Sequence, residues 1–74
     1  MRVAVLGTGG MGRGAVRDLK SIPTVDGVVG YDIDARRLDE MRKECGSDIP
    51  GTTRLEEVLS DSRVKLVFIT APNA

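Results

Sequence analysis

The chain has 74 residues, with 11 Lys and Arg against 11 Asp and Glu, one Cys, no His and no Trp, and Tyr31 and Phe68 as its aromatics. A balanced charge without a basic block excludes a nucleic-acid binder that tracks phosphates and a polybasic membrane patch, and no apolar run nears the roughly 20 residues of a membrane span. One Cys without His makes neither an intramolecular disulfide nor a Cys/His zinc site, so the composition reads as one folded unit of a cytoplasmic protein with no metal centre and no imidazole chemistry.

The elements follow in chain order. Val3-Ala4-Val5-Leu6 is an unbroken apolar run ended by Gly7, the signature of a strand covered on both faces in a parallel sheet. After a glycine-rich turn, Met11, Ala15, Leu19 and Ile22 recur at spacings of four, four and three, predicting a helix with that apolar face, ended by Pro23. Val28 to Tyr31 is a second strand, weakened by Gly30 and closed by Asp32. Asp34 can cap the next helix, which carries Leu38, Met41 and Cys45 on one face, and Gly46 stands where a left-handed C-terminal cap falls.

Residues 47–53 hold at most a very short strand, which Pro50 restricts to a sheet edge. Thr53 and Glu56 have the spacing of a capping box, with Leu55, Val58 and Leu59 as a short apolar stripe in a helix ending near residues 60–62. The last run, Leu66 to Ile69, is again continuously apolar and reads as a buried strand, followed by a Thr70-Ala71-Pro72-Asn73 loop. This alternation predicts an α/β fold with parallel strands, right-handed crossovers, helices on both faces and strand order 3-2-1-4.

Gly7-Thr8-Gly9-Gly10-Met11-Gly12 fits Gly-x-Gly-x-x-Gly between a strand and an amphipathic helix, the context the dinucleotide fingerprint requires. Gly7 permits the tight turn, Gly9 lets a pyrophosphate approach the backbone, and Gly12 allows close packing of the helix. The amides of the first helical turn and the positive end of the helix dipole then face the diphosphate. A glycine cluster that merely turns the chain is the bland alternative. Asp32 lies 20 positions after Gly12 at the end of the second strand, where a carboxylate can accept both hydrogen bonds of an adenosine ribose diol. Because Asp34 is the better cap, Asp32 is expected to be free for the ribose.

The same residue argues for NAD over NADP. A 2′-phosphate about 4 Å from that carboxylate would be opposed by roughly 1 to 4 kcal/mol per unit charge. Arg36 and Arg37 complicate this reading, since either could pair a 2′-phosphate. Thr70, Pro72 and Asn73 end the last strand beside the expected crevice, and Ile33 and Arg37 complete the cofactor-binding candidates. Cys45 reads as a small buried hydrophobe.

With GTGGMG, YDIDARR, TRLEEVLSD and a strand ending in T-x-P-N, the whole chain resembles the start of an oxidoreductase of the glucose-fructose oxidoreductase, inositol dehydrogenase and rhizopine-catabolism family. The resemblance implies the N-terminal part, residues 1–74, of an NAD(P)-binding Rossmann domain. Gly7 to Gly12 would lie on the diphosphate, Asp32 on the ribose, and Thr70 to Asn73 near ribose and diphosphate. Members of that family act on sugars, polyols or related hydroxyl compounds through a lysine in a Glu-Lys-Pro motif beyond the T-x-P-N strand. Lys20, Lys43 and Lys65 are not followed by Pro, so no catalytic residue carries over and the substrate domain is expected to be absent from a truncated chain. Two alternatives stand beside this. One is the start of another NAD(P)-dependent reductase with the same opening; the other is a stand-alone nucleotide-binding or interaction module that self-associates through its open sheet edge.

Overall fold

The computed structural model describes residues 1–70, so Pro72 and Asn73 lie outside the described residues. The elements are β1 (Arg2–Leu6), α1 (Gly10–Lys20), β2 (Gly27–Tyr31), α2 (Ala35–Cys45), β3 (Gly51–Thr52), α3 (Leu55–Leu59) and β4 (Val64–Ile69). The strands form one all-parallel sheet in the order β3-β2-β1-β4, as the alternation predicts. Leu6 pairs with Tyr31 on one side and Ile69 on the other, and Tyr31 pairs with Thr52. The register therefore brings the carboxyl ends of all the strands to one rim.

Alternation along the strands splits the core into two layers. On one face Val5 and Val28 pack with Val16 of α1, Leu38 and Met41 of α2, and Ile49; on the other, Ala4 and Val29 pack with Val58 of α3. Helices thus cover both faces, and the unbroken apolar runs of β1 and β2 follow from it. Among the described residues no helix is long and apolar enough to cross a membrane.

Four local expectations are corrected. First, α1 buries Gly12 and Val16, flanked by half-buried Ala15 and Leu19, whereas Met11 is 74% exposed and Ile22 lies beyond the helix. Gly12 must meet the turn below it, and that requirement rotates the helix away from the face that hydrophobicity alone picks. Second, Arg54, with no side-chain cap bond, occupies the N-cap of α3 in place of Thr53, and of its apolar stripe only Val58 is buried. The hydroxyl of Thr52 accepts from the Arg54 N–H at 3.0 Å, and the Arg54 guanidinium binds Glu56 at 3.0 Å, so Glu56 of the expected capping box is engaged elsewhere.

Third, β4 is not buried: Leu66, Val67, Phe68 and Ile69 are all exposed, because β4 is an edge strand on which none of the described helices packs substantially. Fourth, Gly46 closes α2 at φ 151 and ψ 132, a conformation for glycine but not a left-handed helical cap. Its N–H still donates to the Arg42 carbonyl at 3.1 Å. At the other end of α2, Asp34 caps as expected, its side chain accepting from the Arg36 N–H at 2.9 Å.

Candidate dinucleotide-binding site

At the strand-end rim the chain leaves β1 through Gly7, whose φ of 95° favours glycine and whose N–H donates to the Tyr31 carbonyl at 2.8 Å. A Cβ on Gly7 would also collide with the carbonyl oxygen of Thr70, and one on Gly12 with the carbonyl oxygen of Gly7. These two glycines therefore let the β1–α1 turn, the start of α1 and the end of β4 stack within backbone contact. Gly9 and Gly10 differ: a Cβ at either would meet nothing within 4 Å, so they leave bare backbone facing open space.

Gly9 is the N-cap of α1, and no side chain caps it. The first α-helical bond is that from Arg13 N–H to the Gly9 carbonyl at 2.8 Å, which leaves the amides of the preceding turn without helical acceptors. They open into a cleft of about 530 Å³ lined by the glycine turn, Met11, Arg13, Arg37, Glu40 and Thr70. Arg37 is half exposed there; Arg13 donates to Glu40 at 2.9 Å and pairs with Glu44 at 2.9 Å, clamping α1 to α2 along the cleft wall. The Arg13–Glu40 pair spans 27 residues and has no local spacing that a sequence pattern would reveal.

Thr70 closes the other side of the turn. Its N–H donates to the Leu6 carbonyl at 2.9 Å, continuing the β1–β4 ladder, and its hydroxyl lies 2.7 Å from the Gly7 carbonyl. That hydroxyl has one proton, and the Gly7 oxygen is its closer acceptor, since the Leu6 carbonyl is 3.2 Å away. Thr70 thereby holds the turn against the end of β4.

Asp32 is not free as expected. It is only 3% exposed, its Oδ2 accepts from the N–H and hydroxyl of Thr8 at 2.9 and 3.2 Å, and its Oδ1 accepts from the Asp34 N–H at 2.9 Å. Arg37 Nη1 stands 3.9 Å from Oδ1, and Arg37 lines the cleft whereas Asp32 itself lies behind its wall. Ile33 points to solvent, 83% exposed, and does not line the cleft. Arg36 is drawn to Asp34, whose carboxyl is held below its ordinary pKa by the Arg36 N–H and then by the Arg36 guanidinium. Cys45 is half-buried at the edge of the core, with Sγ 3.4 Å from the Arg13 carbonyl oxygen.

No family model and no curated protein sequence matches the chain. Solved structures do. GenD2 from gentamicin A biosynthesis, determined in complex with NAD, matches 100% of this chain and 21% of its own at 32% identity and a TM-score of 0.85. Myo-inositol 2-dehydrogenase from Lactobacillus plantarum matches 97% of this chain and 21% of its own at 25% identity and a TM-score of 0.73. A Desulfitobacterium hafniense protein assigned as an NADPH-dependent oxidoreductase matches 97% of this chain and 20% of its own at 23% identity and a TM-score of 0.78, which speaks for the fold alone. The chain spans about one fifth of the length of these proteins. Fold, strand order and these matches agree with the motifs: the chain is a Rossmann-type α/β unit similar, along its whole length, to part of oxidoreductases of the glucose-fructose oxidoreductase and inositol dehydrogenase type.

Proposed function

We propose that the chain binds the adenosine-diphosphate part of a nicotinamide dinucleotide, as a cofactor-binding portion of an NAD(P)-dependent oxidoreductase. The observation that carries this reading is the uncapped start of α1, where Gly9 and Gly10 expose bare backbone to the cleft. Amides there can donate to diphosphate oxygens, and the helix dipole adds positive potential at the same point. The clash that a Cβ on Gly12 would make with the Gly7 carbonyl explains how the helix comes close enough to do so. Thr70 holds that geometry through Gly7, and Pro72 and Asn73, which follow it in sequence, are proposed to contact the same cofactor.

Asp32 reads the adenosine ribose with Oδ1, the oxygen nearer Arg37, and its negative charge favours NAD over NADP. Arg37, rather than Arg36, is the cation beside it, because Arg36 is engaged with Asp34. When bound, the nicotinamide supplies the hydride chemistry; the chain's own residues bind and orient the other half of the cofactor. The full-length protein would act on a sugar, polyol or related hydroxyl compound, with its catalytic residues outside these 74 positions.

Amide shifts followed during addition of NAD test the reading. Shifts at Gly9 to Gly12 and Asp32 are expected; none at millimolar ligand would overturn it. Parallel titration with NADP tests the preference, which tighter NADP binding would reverse.

A further inference from the structure

We infer that Thr8 is the positioning residue that fixes the Asp32 carboxylate and, through it, the discrimination between NAD and NADP; the inference rests on the dinucleotide reading above. Thr8 is fully buried, and both its N–H and its hydroxyl donate to the same oxygen, Asp32 Oδ2, at 2.9 and 3.2 Å. A carboxylate offers about four acceptor positions, two on each oxygen. Thr8 fills both positions on Oδ2, and the Asp34 N–H fills one on Oδ1. One acceptor position remains, on the oxygen nearer Arg37, which itself lines the cleft. The ribose is therefore offered one free acceptor position in a set orientation, where the motif alone suggested a carboxylate accepting both hydrogen bonds of the diol.

The rest of the Thr8 side chain explains why the hydroxyl stays in place. A Cβ on Gly30 would come within 3.1 Å of the Thr8 methyl and 2.6 Å of the Met41 sulfur, so the missing side chain on β2 makes the room that both groups fill. Packed there, the methyl group keeps the hydroxyl turned to Asp32. The weak point in strand β2, Gly30, is thus the seat of the residue that holds the ribose acceptor.

Removing the hydroxyl leaves a buried lone pair of Oδ2 without a donor, which the carboxylate relieves by rotating into an ion pair with Arg37 that takes up its free oxygen and offsets its charge toward a 2′-phosphate. NAD, read through Asp32, then loses affinity, whereas NADP, opposed by the same charge, does not. NAD and NADP are titrated separately into the 74-residue chain and into T8V and T8S, following amide shifts. T8V preserves side-chain shape without the hydroxyl and is expected to lower the NAD-to-NADP affinity ratio about ten-fold, the loss of one hydrogen bond to a charged group. T8S keeps the hydroxyl and should hold the ratio within about two-fold. If T8V does not fold, T8A gives the same readout.

An unchanged ratio in T8V, or an equal fall in T8S, overturns the assignment. A further fall on adding T8V to D32N does so too, because the role would then not run through Asp32. Failure of the wild-type chain to bind either dinucleotide instead overturns the proposed function itself, which separates the two results.

Discussion

Asp32 and Asp34 stand two residues apart after β2, and their surroundings divide the work. Asp34 caps α2 from the surface; Asp32 turns inward to Thr8. Asp34→Ala should lower stability by about 1 kcal/mol, as loss of an N-cap does, and Asp34→Asn should retain most of it, as urea unfolding would register. Asp61 gives the pH dependence. Its carboxyl lies below the ordinary value of 3.8, chiefly because the Arg63 guanidinium and N–H donate to it, with Arg2 Nε 3.4 Å away. Asp34 is lowered in the same sense. A carboxyl whose pKa falls on folding contributes its stability above its unfolded pKa and loses it as pH falls through the folded one. Stability should therefore be level near neutrality and decline below about pH 4, with a shallower decline in Asp61→Asn, when urea midpoints are compared between about pH 7 and pH 2.

Among the elements, those with strong local signals were legible in the sequence. The apolar runs of β1 and β2, the Asp34 cap and the Leu38–Met41 face of α2 all stand where the pattern puts them, and so does the spacing of Gly7, Gly9 and Gly12. What escaped depends on contacts distant in sequence. The rotation of α1 is set by Gly12 against Gly7 rather than by its apolar residues, so Met11 faces the cleft. Likewise Thr8 meets Asp32 across 24 residues, and nothing in the spacing of either foretells it. The glycines of α1 divide on the same ground. Gly14 lies inside the helix, and a Cβ there meets nothing within 4 Å, so its flexibility serves no contact among the described residues. Gly14→Ala should stabilise the chain by about 1 kcal/mol, a rise of roughly 4–8 °C in melting temperature. Gly12→Ala, two residues earlier, should do the opposite, because its Cβ meets backbone that cannot step aside. A thermal melt of each variant separates the two cases.

At the scale of the whole molecule, the two layers meet water unequally. β1 and β2 are covered on both faces, while β4 exposes four apolar side chains in succession, Leu66 to Ile69. Such a strand is a template for pairing with a second copy, so the 74-residue polypeptide should self-associate as its concentration rises. Phe68→Lys should return it to monomer in sedimentation. The proposed dinucleotide binding would act on the same stability at the carboxyl ends of the strands. The cleft is assembled from the β1–α1 turn, α2 and the end of β4, which are 63 residues apart where Thr70 meets Gly7. No unfolded chain holds those parts together, so a ligand of this cleft binds the folded state selectively and stabilises it in proportion to the logarithm of its concentration. At a hundred times its Kd, NAD should add about 2.7 kcal/mol. For a domain of this size that is a rise of roughly 10–20 °C in melting temperature. If the proposed NAD preference holds, NADP at equal concentration should raise it less, by the ratio of the two affinities. Circular-dichroism melts over a series of NAD concentrations would show the logarithmic climb, and a flat series would mean that the folded cleft does not select the dinucleotide.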